Sequence, residues 1–123
     1  METLSLALLQ KDHRVARFLS GQLCHHFQAI HIVRGVAELR DAIIRFRPDV
    51  VVVDMEVATL ADVERLHKEF HNVCLVCTHR IADEEMWTAA MDAGADDICS
   101  ATDTHGILMA AMRNTSLVRS AAA

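Results

Sequence analysis

The sequence predicts a doubly wound α/β fold, in which a five-stranded parallel sheet is covered by helices on both faces. Short apolar runs typical of buried parallel strands alternate along the whole chain with segments whose apolar residues recur at helical spacing. This strict alternation requires right-handed crossovers between parallel strands. The length of 123 residues and the 52% hydrophobic content suit one domain with its own core. We therefore expect a single domain over residues 1–123, with a frayed end at 120–123.

Five short segments are predicted as strands. The run from Val50 to Val53 is apolar at four successive positions, as expected for a central strand that is buried on both faces. Asp54 follows it directly. In chain order, the predicted strands are residues 4–9, 29–33, 50–53, 73–77 and 98–100.

Five helices are predicted between and after these strands. Asp12 and Asp103 can cap the first and the last helix, and Asp83 is the first residue of an acidic segment that begins the fourth. Pro48 ends the second helix, and Gly94 suits a left-handed residue at the end of the fourth. The apolar stripes predicted to face the sheet are Val15, Phe18, Leu19 and Leu23; Leu39, Ala42, Ile43 and Phe46; Val63, Leu66 and Phe70; Met86, Ala89, Ala90 and Ala93; and Ile107, Leu108, Ala111 and Met112.

Charge and composition argue against several classes of function. The net charge of −5 provides no field that would attract nucleic acid or an anionic membrane surface. The longest apolar runs are far shorter than the roughly 20 residues of a membrane span, and the N-terminus lacks the pattern of a signal peptide. We expect a cytoplasmic protein whose four cysteines are reduced thiols. Cys74 and Cys77 form a CxxC spacing on a strand, where core packing is the favoured interpretation.

Chemistry is expected where the strands end, because doubly wound sheets place their working residues at the carboxyl ends. The residues that follow or end the predicted strands there are Gln10, Lys11, Asp12, Asp54, Glu56, Cys77, Thr78, His79, Ser100 and Ala101. No Gly-rich phosphate loop is present, and no nucleophile, base and orienting group converge at these ends. We therefore predict no catalytic residues. Among the other histidines, His67 and His71 lie four residues apart, and a solvated helix face is favoured over a metal site.

Two motifs carry a family resemblance. The string Arg47-Pro48-Asp49-Val50-Val51-Val52-Val53-Asp54, together with Ala93-Gly94-Ala95-Asp96-Asp97, resembles the receiver domains of two-component response regulators, the CheY-like group of flavodoxin-like folds. The resemblance extends over essentially the whole chain. It implies that Asp54 takes the phospho-acceptor position and that the partners are a histidine kinase or a downstream signalling protein.

The resemblance is incomplete around Asp54. Gln10 and Lys11 stand where receivers carry two acidic residues, Ala101 stands at the lysine position, and Ile98 stands at the aromatic switch position. The hydroxyl position falls on Cys77 or Thr78. These departures indicate an atypical receiver, or pseudo-receiver, without a metal site.

Three functions follow from this resemblance. The first is a phosphorylation-independent interaction or dimerisation module, whose contact face includes Trp87, Ile98 and Ile107. In it, the Lys11 ammonium either replaces the metal and pairs with Asp54, or extends into solvent while Asp54 is hydrated. Trp87 either anchors a partner or fills the seam between helix and sheet.

The second function is a conventional receiver that is phosphorylated on Asp54 by a histidine kinase, with Mg²⁺ held by Asp12 and Glu56. The third is a small-molecule-sensing domain of a transcription regulator, which would use the same crevice. No cofactor is expected unless the second function holds.

Overall fold

A computed structural model describes the backbone of residues 4–81 and 83–122 and the side chains of that range up to residue 115. Its five parallel strands lie in the order β2-β1-β3-β4-β5, and a helix follows each strand along the chain. The predicted fold class is therefore confirmed. The strands are β1 (Leu4–Leu9), β2 (Phe27–Val33), β3 (Val50–Asp54), β4 (Cys74–His79) and β5 (Asp97–Ser100), and the helices are α1 (His13–Leu23), α2 (Val36–Phe46), α3 (Leu60–Glu69), α4 (Glu84–Ala93) and α5 (Thr104–Ala122).

The core consists of two layers, one on each face of the sheet. Successive side chains of a strand point to opposite faces, so β3 contributes Val51 and Val53 to one layer and Val50 and Val52 to the other. The first layer lies under α2, α3 and α4, and the second lies under α1 and α5. All four valines are fully buried, as the central-strand prediction requires.

The helix ends follow the local sequence signals. Asp12 caps α1 by accepting a hydrogen bond from the N–H of Arg14, and Asp83 caps α4 by accepting one from the N–H of Met86. Asp103 accepts a hydrogen bond from the N–H of Gly106 in the first turn of α5. Thr59 and Asp62 form a reciprocal capping box at the start of α3, which the sequence analysis missed although the spacing is typical of one.

Three residues predicted for the apolar stripes are instead on the surface. Phe18, Phe46 and Met112 are exposed, so their assignment to the core is wrong. Each lies at the edge of its helical stripe, where the neighbouring positions already fill the space against the sheet. The ring of Phe46 stacks on that of His31 at a centroid distance of 3.9 Å.

Several strand boundaries also differ from the predictions. β2 begins two residues earlier, at Phe27, and β4 runs from Cys74 to His79. Residue 123 and the side chains of 116–122 lie outside the described residues, so the frayed end stays a prediction. Within the described part of the chain, no helix is long and apolar enough to span a membrane.

Three of the four cysteines are core residues. Cys74 packs in the layer under α1 and α5, whereas Cys77 packs in the opposite layer, so their CxxC spacing brings no thiol pair together. Burial raises the pKa of Cys74, Cys77 and Cys99 to about 12. These thiols are therefore protonated, poorly nucleophilic packing groups at neutral pH, as predicted for the CxxC.

Gly94 ends α4 in the left-handed conformation, with φ at 112°. Its N–H donates to the carbonyl of Met91, and the ring of His67 in α3 packs where a Cβ of Gly94 would be. His67 is exposed, as predicted for a solvated helix face, and its ring also contacts Gly94 at the end of α4. The predicted left-handed role of Gly94 is confirmed, and the close approach of His67 is a second reason for glycine here.

Gly94→Ala should lower the free energy of unfolding by about 2 kcal/mol or more, because it combines left-handed strain with a steric clash against His67. Gly21→Ala is the matched control, since Gly21 lies inside α1 with no atom near its missing Cβ. It should stabilise the domain by roughly 0.5–1 kcal/mol. Urea denaturation of the two variants measures both values, and an equal effect of the two substitutions would contradict this interpretation.

Candidate functional site

Three polar side chains form a row across the carboxyl ends of β1, β3 and β4. Leu9 pairs with Val53, so Gln10 lies beside Asp54, and Asp54 pairs with Thr78. Gln10, Asp54 and Thr78 each follow by two positions a strand residue that packs in the layer under α1 and α5. Because strand side chains alternate between faces, all three lie on the face of that layer. Their exposed fractions are 5% for Gln10, 2% for Asp54 and 0% for Thr78. The row is therefore a buried polar extension of an apolar layer.

The Asp54 carboxylate is held by the backbone of the two neighbouring loops. Its Oδ2 accepts a hydrogen bond of 2.7 Å from the N–H of Lys11, and its Oδ1 accepts one of 2.9 Å from the N–H of Glu56. The backbone carbonyl of Asp54 accepts from the N–H groups of Val57 and Ala58, which tightens the turn after β3. Each carboxylate oxygen thus has a main-chain donor.

The predicted pairing of the Lys11 ammonium with Asp54 is wrong. Lys11 is exposed, and no ion pair that the structure describes joins it to Asp54. The contact is made by the Lys11 main chain, because the turn after β1 directs its N–H toward the end of β3. A backbone donor forms this bond without the entropic cost of fixing a long side chain.

The other acidic residues near Asp54 are engaged elsewhere. Asp12 caps α1, and Glu56 Oε1 accepts a hydrogen bond of 2.5 Å from Nε of Arg80. Among the residues described, no group of three His, Cys, Asp or Glu side chains is arranged to hold a metal ion. Asp12 and Glu56, the residues that a conventional receiver would use here to hold Mg²⁺, are thus already hydrogen-bonded to the start of α1 and to Arg80.

A cleft of about 370 Å³ opens above Asp54. Most of the predicted site residues line it, whereas Cys77 and Thr78 do not. The register places Thr78 opposite Asp54, and Cys77 packs in the opposite layer. His79 shapes the neighbouring loop by accepting a hydrogen bond from the N–H of Ile81. The lining residues are Gln10, Lys11, Asp12, Val15, Asp54, Glu56, Arg80 and Ala101.

Sequence reasoning missed Arg80. Its position directly after β4 was the available signal, because all residues that follow the strands are candidates for the site. The side chain is largely exposed and pairs with Glu56 across the mouth of the cleft. Arg80 and Glu56 lie in the separate loops after β4 and β3, so their contact is visible only in the structure.

The predicted contact face is only partly exposed. Trp87 on α4 is 46% exposed, which excludes the alternative that it fills the seam between helix and sheet. Ile98 and Ile107 are buried in opposite layers of the core, so their assignment to an exposed face is wrong. Ile98 packs with the layer under α4, and Ile107 packs in the first turns of α5 against the sheet.

Comparison with known proteins identifies the fold. The sequence matches no protein-family model and no curated protein. Among solved structures, the signal receiver domain of an HD domain-containing protein from Pseudomonas fluorescens Pf-5 has a TM-score of 0.83 at 14% identity, with 97% of this chain and 99% of that chain covered.

Two further structures are similar. A LuxR-family two-component response regulator from Aurantimonas sp. SI85-9A1 has a TM-score of 0.81 at 12% identity, with coverage of 94% and 86%. The receiver domain of RcsB from Salmonella enterica serovar Typhimurium, solved with the phosphomimetic BeF3⁻, has a TM-score of 0.77 at 10% identity, with coverage of 95% and 99%. The chain therefore has the CheY-like receiver fold.

Asp54→Ala should lower the free energy of unfolding by about 2 kcal/mol or more, because it leaves the N–H groups of Lys11 and Glu56 without their acceptor. Lys11→Ala keeps the backbone donor and should change stability by less than about 0.5 kcal/mol. Thermal and urea denaturation of both variants measure the difference. If Lys11→Ala lowered the free energy of unfolding as much as Asp54→Ala, the result would contradict this account and support pairing of the Lys11 ammonium with Asp54.

Proposed function

We propose that this domain is a response-regulator receiver of two-component signalling that acts by contact with another protein and without phosphorylation of Asp54. The observation that carries the proposal is the bonding of Asp54. Both carboxylate oxygens accept backbone hydrogen bonds, and no cationic side chain contacts them within the described residues. The carboxylate is thus held in place before any phosphoryl group arrives.

The surroundings of Asp54 are poorly suited to phosphoryl transfer. That reaction depends on positioning and on cations that neutralise charge on the transferred oxygens. Here Gln10, directly after β1, contributes a neutral amide, and Ala101 contributes only a methyl group. The Arg80 guanidinium is paired with Glu56. The Lys11 ammonium also lines the cleft, but it is exposed and forms no ion pair with Asp54 among the described residues. A phosphoryl group on Asp54 would therefore be poorly compensated.

The assignment to two-component signalling is an analogy from the fold. The similar solved structures include receiver domains and response regulators, and the chain covers 50% of the full regulator DrrB from Thermotoga maritima. A fold alone does not determine function, so the proposal that Asp54 is not phosphorylated rests on the contacts within the site. The predicted partners remain a signalling protein or a second copy of this chain.

The surface offers anchors for such a partner. Trp87 on α4 is half-exposed, as are Met109 and Met112 on α5. Tryptophan is enriched at the energetic centres of protein interfaces, and methionine adapts to partners of varied shape. These exposed side chains support contact through the α4 and α5 side of the domain, without the buried Ile98 and Ile107.

An amide NMR titration tests phosphate independence. Wild-type protein is titrated with Mg²⁺ alone and then with beryllofluoride, which imitates a phosphoryl group on a carboxylate. We expect no saturable shifts at the amides of Lys11, Glu56 and Thr78, because Asp12 and Glu56 are engaged in other hydrogen bonds and no ion pair among the described residues brings a cation to Asp54.

Two variants make the result decisive. Asp54→Asn removes the carboxylate that beryllofluoride would bind, and it should show the same lack of response as the wild type. The triple variant Gln10→Asp, Lys11→Asp, Ala101→Lys supplies acids and an ammonium at the expected positions and should gain a saturable response. Saturable shifts in the wild type that disappear in Asp54→Asn would overturn the proposal in favour of a conventional receiver.

A further inference from the structure

We propose that the groove between α3 and α4 docks a segment of a partner protein in which an aliphatic side chain stands between basic residues. This inference rests on the proposed function, because it gives the chemistry of the protein that the domain would contact. It is carried by exposed apolar side chains and by the charge around them. The α3–α4 groove is lined by Leu60, Ile81, Met86 and Ala89 and by the exposed acids Asp83 and Glu85.

The apolar side of the groove is open to solvent. Ile81 is 67% exposed and Leu60 is 41% exposed, although both have large aliphatic side chains. Met86 lies between them and the core, because it packs against the layer under α2, α3 and α4. The groove has a volume of about 390 Å³, which is enough to receive an anchoring side chain. An aliphatic residue bound here would remove Ile81 and Leu60 from water, which favours binding.

The sides of the groove are held by local hydrogen bonds. The capping box at the start of α3 fixes the turn beside Leu60, and Asp83 caps α4. His79, which also lines the groove, accepts a hydrogen bond of 3.0 Å from the N–H of Ile81. A surface that is ordered before binding loses less conformational entropy when a partner docks. The groove is therefore largely preformed.

The charge of the groove favours basic residues beside the anchor. Of the described residues that line it, none is a lysine or an arginine, and neither Asp83 nor Glu85 forms a described ion pair. Asp83 has a structural role as the cap of α4, whereas no described hydrogen bond engages the Glu85 carboxylate. Arg80, the nearest arginine or lysine in the chain, is paired with Glu56. A segment with lysine or arginine is thus complementary to the groove, and an acidic segment is repelled.

The groove lies on the other flank of α4 from Trp87. Glu85 and Ala89 are four residues apart and line the groove together, whereas Trp87 does not line it. Ala90 is fully buried and faces the core between these two flanks. A segment in the groove therefore leaves Trp87 free for a second contact.

Selection from a library of random short peptides tests the proposed chemistry. The library is displayed on phage and selected on immobilised wild-type protein, with free Ile81→Ser protein as competitor. Enriched peptides should have an aliphatic residue flanked by lysine or arginine, because apolar burial and the two carboxylates both favour that pattern. No enrichment, or enrichment of sequences without basic residues, would overturn the inference.

An enriched peptide is then titrated into ¹⁵N-labelled protein, where the amides of Leu60, Ile81 and Glu85 should shift. Affinity should fall roughly tenfold in Ile81→Ser, which loses apolar burial, and roughly fivefold or more in Glu85→Lys, which reverses the charge of the groove. Glu84→Lys is the matched control, since Glu84 is exposed on the same helix but does not line the groove. It should keep the affinity within roughly twofold, because a solvated charge is screened by salt.

Three results would contradict the groove. An equal loss of affinity in Glu84→Lys and Glu85→Lys would show attraction to the overall charge of the domain. Shifts confined to Trp87 and its neighbours would place the peptide on the other flank of α4. Self-association of the wild-type protein that Glu85→Lys abolishes would assign the groove to a second copy of this chain. Each of these results would overturn the inference.

The two proposals fail in different ways. A beryllofluoride response that requires Asp54 removes the proposed function whatever peptides bind. Silence toward beryllofluoride, together with a failed peptide selection, leaves the proposed function standing and removes only the α3–α4 groove as the docking site.

Discussion

The burial of one carboxylate at the end of the central strand is the constraint on which the site depends. Asp54 follows four fully buried valines and is itself 2% exposed, so its charge cannot be stabilised by bulk water. The turns after β1 and β3 each direct one N–H group to a carboxylate oxygen, at 2.7 and 2.9 Å. The loop conformations and the charged residue therefore stabilise one another.

This bonding explains how the neighbouring residues are used. Because the main chain satisfies Asp54, the side chains of Lys11, Asp12 and Glu56 are free for other contacts. Asp12 caps α1, Glu56 pairs with Arg80, and the Lys11 ammonium remains at the rim. The row beside Asp54 keeps two oxygens without donors, on Gln10 and Thr78. Among the described residues, the site thus provides hydrogen-bond donors for the Asp54 carboxylate but not for the side-chain oxygens of Gln10 and Thr78.

The fold was predictable because its signals are local. The valine run of β3, Pro48 after α2 and Gly94 after α4 each act within a few residues. The site was less predictable, because its contacts join separate loops. The sequence placed Lys11 near Asp54 but could not tell a main-chain donor from an ammonium. Arg80 was missed because its pairing with Glu56 depends on how two loops meet.

Hydrogen exchange at two amides tests the central claim most directly. If main-chain donors hold Asp54, the N–H groups of Lys11 and Glu56 exchange slowly in wild-type protein without Mg²⁺ or any phosphoryl donor, although both residues lie in loops. The same amides should exchange rapidly in Asp54→Ala, while core amides such as that of Val52 stay protected. Exchange of the Lys11 and Glu56 amides at the rate of an unstructured peptide in the wild type would contradict the account.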